Sequence, residues 1–508
     1  VKSFYITTAI DYSNGSPHLG HAFEKIGADV IARYRRMRGD DVRFLIGMDE
    51  HGQKVAQSAA ASGVSPAEWT GRIADEFQAA WRRLDISHDQ FIRTTEPGHA
   101  AGVTALIERI FERNPDDFYE QSYEGWYCVG CEMFKRDNEI VDGRCVLHSG
   151  RDLEWTEERN WFFRLSRHRD FLRQLLDDQP DFLQPASRRN EILALLDGGL
   201  DDISVTRARL EWAIPFPRAT SDGQTQGTWV WFDALPNYLT ATGFPEPGWE
   251  DLWPAQLHIV GKDITRLHAV IWPAMLRSAE LPLPERVWAH GFVQLAGEKL
   301  SKSSGVQLDL DDAIDRFGVD AFRYFLLREV PWDGDGNFSW ERFEDRYVAE
   351  LANDLGNLAS RTIAMVVKYR EGRVPAGRRT ELDDRADRAV KDYNERMERL
   401  LLDEGASSAI ALVRDANAFV GDRAPWTLAK DPSRADDLDD ALASLVRTLG
   451  VAAILLSPFM PRKTAELRER LGAPDDLPGV ADLSKLDPDG WTVSGGDVLF
   501  PRPESGEK

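Results

Sequence analysis

A chain of 508 residues is long enough for several domains, and 42% apolar with 29% charged residues is a globular balance that excludes a disordered or fibrous protein. Against 62 Lys and Arg stand 85 Asp and Glu; the net charge of −23 excludes a generic polyanion binder but leaves room for a local basic groove. Three Cys are too few for a disulfide framework and no run of about 20 apolar residues occurs, so the expectation is a reducing, cytoplasmic setting and no membrane partner.

In chain order, residues 4–10 form an apolar, β-branched run that predicts a strand, followed by a turn at Asn14-Gly15-Ser16-Pro17. A helix then follows, with Leu19, Phe23, Ile26, Val30 and Ile31 as its buried stripe and Gly39 as its stop. Strand, turn, helix is the βα unit of an open α/β sheet, and the start of such a helix is a natural anion site. His18 and His21 share a face there, with Gly20 between them allowing close approach; a plain surface pair is the alternative. Residues 42–48 predict a second strand that ends in Met48-Asp49-Glu50-His51-Gly52, where open sheets hold their ligands. Ser65-Pro66-Ala67-Glu68 is a capping box, and the repeat of Trp69, Ile73, Phe77, Trp81 and Leu84 behind it predicts core packing.

From about residue 118 the texture changes. Cys128, Cys131, Cys145 and His148 read C-x2-C and C-x2-H, two tight ligand pairs on a short arm. Soft thiolates and an imidazole at this spacing suit tetrahedral zinc; four protein ligands make the site structural, and buried unliganded thiols are the alternative. Residues 154–222 are mixed. Residues 228–233 predict a strand, followed by a segment with Tyr238, and residues 257–263 predict another strand before a helix carrying Leu267, His268, Ile271 and Met275. The sheet thus resumes after an insertion. Lys299 and Lys302, among Ser and Gly, make a loop suited to clamp a polyphosphate, or a solvated turn; it lacks Walker spacing. Beyond about residue 340 helical periods replace strands, with segments near 386–420 and 435–457, and a helical bundle is predicted. Asn357 and Arg361 share a helix face, and Trp426 follows Pro425 in a loop or helix start, where it either packs in the core or faces out. The last fifty residues read as an extended tail.

His18-Leu19-Gly20-His21 and Lys299-Leu300-Ser301-Lys302-Ser303, in that order on a split α/β fold, resemble the two signature motifs of class I aminoacyl-tRNA synthetases. The cysteine arm, Trp231-Phe232-Asp233-Ala234, Gly261-Lys262-Asp263-Ile264, His268 with Trp272-Pro273-Ala274-Met275, and Arg423-Ala424-Pro425-Trp426 narrow the resemblance to the methionine-specific family. It implies a Rossmann-like, doubly wound parallel sheet split into residues 1–115 and 223–340. A zinc-binding insertion would occupy 116–222, with its arm at about 123–150. An all-α anticodon-binding bundle would span 341–470, and a C-terminal tail 471–508.

The implied reaction joins methionine and ATP, with Mg, into methionyl-adenylate and pyrophosphate, then passes methionine to the end of a tRNA. By matching position, His18, His21, Lys299 and Lys302 would be catalytic, and Gly20, Gly261 and Asp263 would join them in holding ATP. The methionine site would be Ile10, Tyr12, Asp49, Trp231, Ala234, Tyr238, Ile264 and His268, with Asp49 accepting the ammonium. Asn357, Arg361 and Trp426 would read the anticodon, and Cys128, Cys131, Cys145 and His148 would hold zinc. Relatives commonly carry Pro or a neutral residue where Asp11 stands, so this carboxylate either touches ammonium binding or points to solvent. Many relatives have a further dimerising module, and a monomer is expected. The rival expectations are another amino-acid specificity within class I, a paralogue that activates without charging tRNA, and an RNA-binding scaffold that has lost catalysis.

Overall fold

The computed structural model describes residues 2–502 except 130, 132, 136, 209, 296–297, 300–309 and 476; for residues 123, 138, 148–151, 295, 298 and 299 it describes the backbone alone. Lys302 therefore lies outside the described residues, as do the side chains of Lys299 and His148.

β1 (Ser3–Thr8) is buried on both faces, as its run of Phe, Tyr, Ile and Thr demands. α1 (Leu19–Met37) follows; Leu19, Phe23, Ile26, Val30 and Ile31 are each at most 1% exposed, and Gly39 ends the unit at φ +89°. β2 (Asp41–Asp49) returns parallel to β1, with Ile6 opposite Phe44. α2 (Pro66–Arg83) opens on the Ser65–Glu68 capping box and buries Trp81, and β3 (Gln90–Arg93) lies parallel to β2. After α3 (Pro97–Arg113) the chain leaves the sheet for an antiparallel ribbon of β4 (Phe118–Cys128) and β5 (Glu154–Phe163), whose tip carries the cysteine arm. It returns as β6 (Leu257–Gly261) and β7 (Val287–His290).

The sheet runs Leu183–Gln184, β7, β6, β1, β2, with β3 and the short strand Asp11–Tyr12 both on β2: seven strands among the described residues, all parallel. β1 leads through α1 to β2 on one side, while its other neighbour, β6, arrives only after the insertion. Strand order reverses between β1 and β6, which is where open α/β sheets bind ligands, beyond the C-terminal ends of the strands.

The C-terminal part is helical: α4 (Val319–Glu329), α5 (Asn357–Arg370), α6 (Glu381–Glu398), α7 (Leu402–Arg423) and α8 (Ala435–Leu456) share one apolar core with β1 and α1. Arg323 of α4, fully buried, locks this junction. It donates to Asp29 of α1 at 2.6 Å and to the carbonyls of Leu84, Pro458 and Phe459 at 3.0, 2.9 and 3.2 Å. Each nitrogen of the guanidinium has an acceptor, which offsets the cost of burying its charge.

Two expectations fail. Residues 228–233 are not a strand: only Gly227–Thr228 pairs, and Val230–Ala234 is a short helix. A brief apolar run buried on all sides has no decisive period, and the Trp229 carbonyl draws the N–H groups of Phe232 and Asp233 into a helical turn at 2.8 and 3.1 Å. The last fifty residues are not a loose extension. Pro461–Leu471 is a helix, and Val480, Leu483, Leu486, Trp491, Val493, Leu499 and Phe500 are buried against the bundle. Scattered apolar residues among Pro, Gly and Asp carry no period, yet these seven are buried.

Candidate functional site

The start of α1 is built by its own histidines. His18 is the N-cap, its Nδ1 accepting the Gly20 N–H at 3.1 Å, while the Nδ1 of His21 accepts the His18 N–H at 3.2 Å. The rings stack with centroids 3.7 Å apart and planes 19° from parallel. Since each Nδ1 acts as acceptor, the neutral rings carry their protons on Nε2, so two aligned N–H donors accompany the positive end of the helix. A Cβ on Gly20 would sit 3.1 Å from the His18 ring, so the glycine makes room for the stack. No acidic residue occupies the first turn. This arrangement attracts phosphate.

Across the switch point, β6 ends at Gly261, and Lys262–Ile264 turns over the strand ends. Asp263 is exposed, and its Oδ1 lies 2.8 Å from where a Gly261 Cβ would stand, so a larger residue at 261 would displace the Asp263 carboxylate. Lys262 donates to Asp335 at 2.6 Å, and Asp335 also accepts the Phe292 N–H at 2.8 Å, tying this turn to the segment before the lysine loop. Lys299 is reached by backbone alone, paired antiparallel with Gln294.

The candidate amino-acid pocket gathers side chains from four places in the chain. Ile10 and Tyr12 follow β1; Tyr12 stands in register with Asp49 at the end of β2, which is 4% exposed. Trp231 and Ala234 come from the short helix, Tyr238 from the next one, and Ile264 and His268 from the element after β6. His268 lies in a π-helical turn, a distortion common at functional sites. Its Nδ1 donates to the Ile264 carbonyl at 3.0 Å, so its Nε2 accepts the Tyr238 hydroxyl at 2.7 Å. Tyr5 donates in turn to the Tyr238 carbonyl at 2.8 Å. Burial pushes His268 down to about 4, and pushes His258 behind Tyr238 well below the usual imidazole range. Tyr238, His258 and His268 thus form an aromatic, uncharged group. Unfolded histidine binds its proton near 6.5, so the neutral His268 ring contributes its full stability above that pH and loses it as pH falls through about 4. The melting temperature should fall as pH drops through that window, and more shallowly in His268→Gln.

Three buried groups had no place in the sequence-based account. Asp233 is fully buried and accepts from His51 Nδ1 at 2.7 Å and His99 Nε2 at 2.9 Å. Burial pushes its carboxyl up, but the two imidazoles outweigh burial and hold it below the usual range. It thereby clasps the segment after Asp49 to the helix that carries Trp231 and Ala234. Glu50, also fully buried, accepts from Arg93 at 2.6 Å and from Thr95. Lys25, fully buried on α1, donates to Asp11 at 2.9 Å, Glu24 at 2.7 Å and the Ala9 carbonyl at 2.9 Å. Asp11 therefore neither faces solvent nor stands alone. A lysine or aspartate at an otherwise apolar helix position, as at 25 and 29, is the signal that could have revealed such contacts.

On the ribbon tip, the sulfurs of Cys128, Cys131 and Cys145 lie within 4.8 Å of one another, and the Cys131 N–H points to the Cys128 sulfur at 3.4 Å. The strand pairing sets residue 148 opposite Cys145, although the His148 side chain is outside the described residues. Three converging sulfurs are a soft donor set for a metal ion. On the bundle, Asn357 opens α5 exposed, Arg361 follows one turn later, and Trp426 sits in the helix Pro425–Leu428 with 42% of its surface exposed. That exposure removes the core-packing alternative for Trp426. No hydrogen bond or ring contact joins these three among the described residues. No helix among the described residues is long and apolar enough to cross a membrane.

A family profile described as "tRNA synthetases class I (M)" matches residues 4–363. The methionine–tRNA ligase of Caldanaerobacter subterraneus subsp. tengcongensis is 41% identical over 99% of this chain and 79% of its own length. That of Rhizobium meliloti is 43% identical over 98% of this chain and 97% of its own. Among solved structures, Mycobacterium tuberculosis methionyl-tRNA synthetase in complex with methionyl-adenylate superposes at a TM-score of 0.93 and 40% identity, covering 99% of this chain and 100% of that one.

Proposed function

The chain belongs to the methionine–tRNA ligases, class I tRNA synthetases, and from that premise we propose which of its residues carry the reaction. Its function is ATP-dependent attachment of methionine to tRNA in two steps, through methionyl-adenylate. The observation that carries the residue assignment is the meeting of two loops at one switch point. The histidine-capped start of α1 and the turn after Gly261 stand beyond the ends of adjacent parallel strands.

In the first step the methionine carboxylate attacks the α-phosphorus of ATP, and pyrophosphate leaves. Positioning and charge neutralisation do most of this work. His18 and His21 donate from Nε2 to phosphate oxygens, with Gly20 keeping the approach open. Lys299 and Lys302 close over the β- and γ-phosphates as charge builds there, and Mg accompanies the nucleotide. Gly261 lets the nucleotide lie close, and Asp263 binds its ribose. Asp49 takes the ammonium. Ile10, Trp231, Ala234 and Ile264 surround the thioether, while Tyr12, Tyr238 and His268 give it aromatic and polar edges. In the second step a hydroxyl of the terminal tRNA ribose displaces adenylate from the methionyl carbonyl. Asn357, Arg361 and Trp426 hold the anticodon loop by amide, guanidinium and stacking contacts.

Amino-acid-dependent ATP–pyrophosphate exchange across all twenty amino acids tests the assignment. Methionine alone should give strong exchange, with homocysteine slower by about 10–200-fold, the worth of one methylene in an apolar pocket. Strong exchange with another amino acid would overturn the pocket; none at all would leave the scaffold reading. Trp426→Ala should lower tRNA charging by about 10–100-fold, one lost base stack, with exchange unchanged. Equal loss in both assays would make that residue structural.

Cys128, Cys131, Cys145 and His148 would hold zinc, which would fasten the ribbon tip as a structural cross-link. Removing it with a strong chelator should release metal in a one-to-one ratio and expose all three thiols to a thiol reagent. Thiols that react equally fast before chelation would argue against the site.

A further inference from the structure

Most of the pocket is apolar, yet directly behind its wall lies a dry cluster of charges. Lys25 is 0% exposed, and its ammonium has three acceptors on two different elements: Glu24 beside it on α1, and Asp11 and the Ala9 carbonyl on the segment leading out of β1. Those last two flank Ile10, and Asp11–Tyr12 pairs in register with Met48 and Asp49. The other oxygen of Glu24 accepts from His290 Nε2 at 3.0 Å, at the end of β7, and the ring of His290 stacks on Trp332. The cluster therefore touches the methionine segment, the helix that carries the histidines, and the strand that feeds the lysine loop.

Stability alone does not account for it. An isolated buried ion cluster of this kind gains little over a well-packed apolar set, and often loses to one. Burial pushes Asp11 up to about 7 against the pull of Lys25, with Glu24 adding to the push, because two carboxylates share one ammonium. The second oxygen of Asp11 is buried without a partner. What the cluster supplies instead is position: a hydrophobic side chain cannot fix the height of a carbonyl, whereas an ammonium donating to Ala9 and Asp11 together can.

We propose that Lys25 is a positioning residue that sets residues 9–12, and through them Ile10, Tyr12 and the neighbouring Asp49, at the distance from α1 that methionine activation requires. This rests on the assignment of the methionine pocket above. α1 keeps its own cap and stripe without Lys25, so the ATP end is held independently. The methionine end is paired to β2 by its backbone, and Lys25 is what ties it to α1.

The test is pyrophosphate exchange on the full chain with methionine and ATP varied separately, alongside thermal melting. Lys25→Met should raise the KM for methionine at least tenfold and leave the KM for ATP within twofold. Asp11→Leu combined with Lys25→Met replaces the charges by apolar packing; it should recover the melting temperature but not the methionine KM. Recovery of both would make the cluster a stability element only and overturn the proposal, as would an equal shift in both KM values. Should Lys25→Met fail to fold, the Asp11 series decides: Asp11→Asn keeps an acceptor for the ammonium and should raise the methionine KM at least five times less than Asp11→Leu. Equal effects of the two would overturn the proposal. Wild-type protein without methionine-dependent exchange would sink the pocket assignment itself, a distinct outcome from active wild type with indifferent variants.

Discussion

Asp49→Ala is expected to lower kcat/KM for methionine by about 10²–10³-fold in pyrophosphate exchange, with the KM for ATP nearly unchanged. The carboxylate sits at the end of β2, 4% exposed, and the ammonium it accepts must leave water to reach it. Truncating one member of a buried, hydrogen-bonded charge pair costs about 2–5 kcal/mol, because the surviving charge is left without compensation. At about 1.4 kcal/mol per decade this spans the stated range. The backbone role of the residue survives the change, since its carbonyl still accepts the Ser13 N–H at 2.9 Å. A loss under tenfold would show that the ammonium is held elsewhere.

His21→Ala should cost about 10²–10³-fold in kcat for adenylate formation, the usual loss when one preorganised donor to a transition-state oxyanion is removed. His21 also closes the reciprocal cap of α1 through its Nδ1, and a lost cap costs about 1 kcal/mol of stability. The two effects separate by experiment. His21→Gln offers a neutral donor of similar reach, so it should recover part of kcat, while melting reports the cap in both variants. A melting loss without a kcat loss would leave the ring as a cap and nothing more.

The legible parts of this molecule were those whose chemistry is local. The His18–Gly20–His21 turn, the capping box at Ser65 and the Cys128–Cys131 pair each lie within four residues, and each folds as its spacing requires. What escaped was made by distance in the chain. Asp233 is joined to His51 and His99, and Glu24 to His290, by contacts that no periodicity encodes. The strand predicted at residues 228–233 failed for the same reason: its helical turn is dictated by the neighbours that enclose it. Asp11 stands out in the sequence, but its role comes from Lys25 on the next element, which folds back to face it.

β1 is the centre of the sheet, but its two partners are made at very different times. On a ribosome adding about 5–20 residues per second, β6 emerges roughly 10–40 s after β2. Throughout that interval the nascent sheet has one open edge at its middle strand, along Ile6, Thr7 and Thr8, and Asp29 of α1 has yet to meet Arg323. An open edge pairs with whatever strand it meets, and the ribbon of the insertion is translated during the same interval. Nascent chains halted before residue 257 should therefore be the aggregating species, and release of that edge, not the bundle's helices, sets the hazard of synthesis.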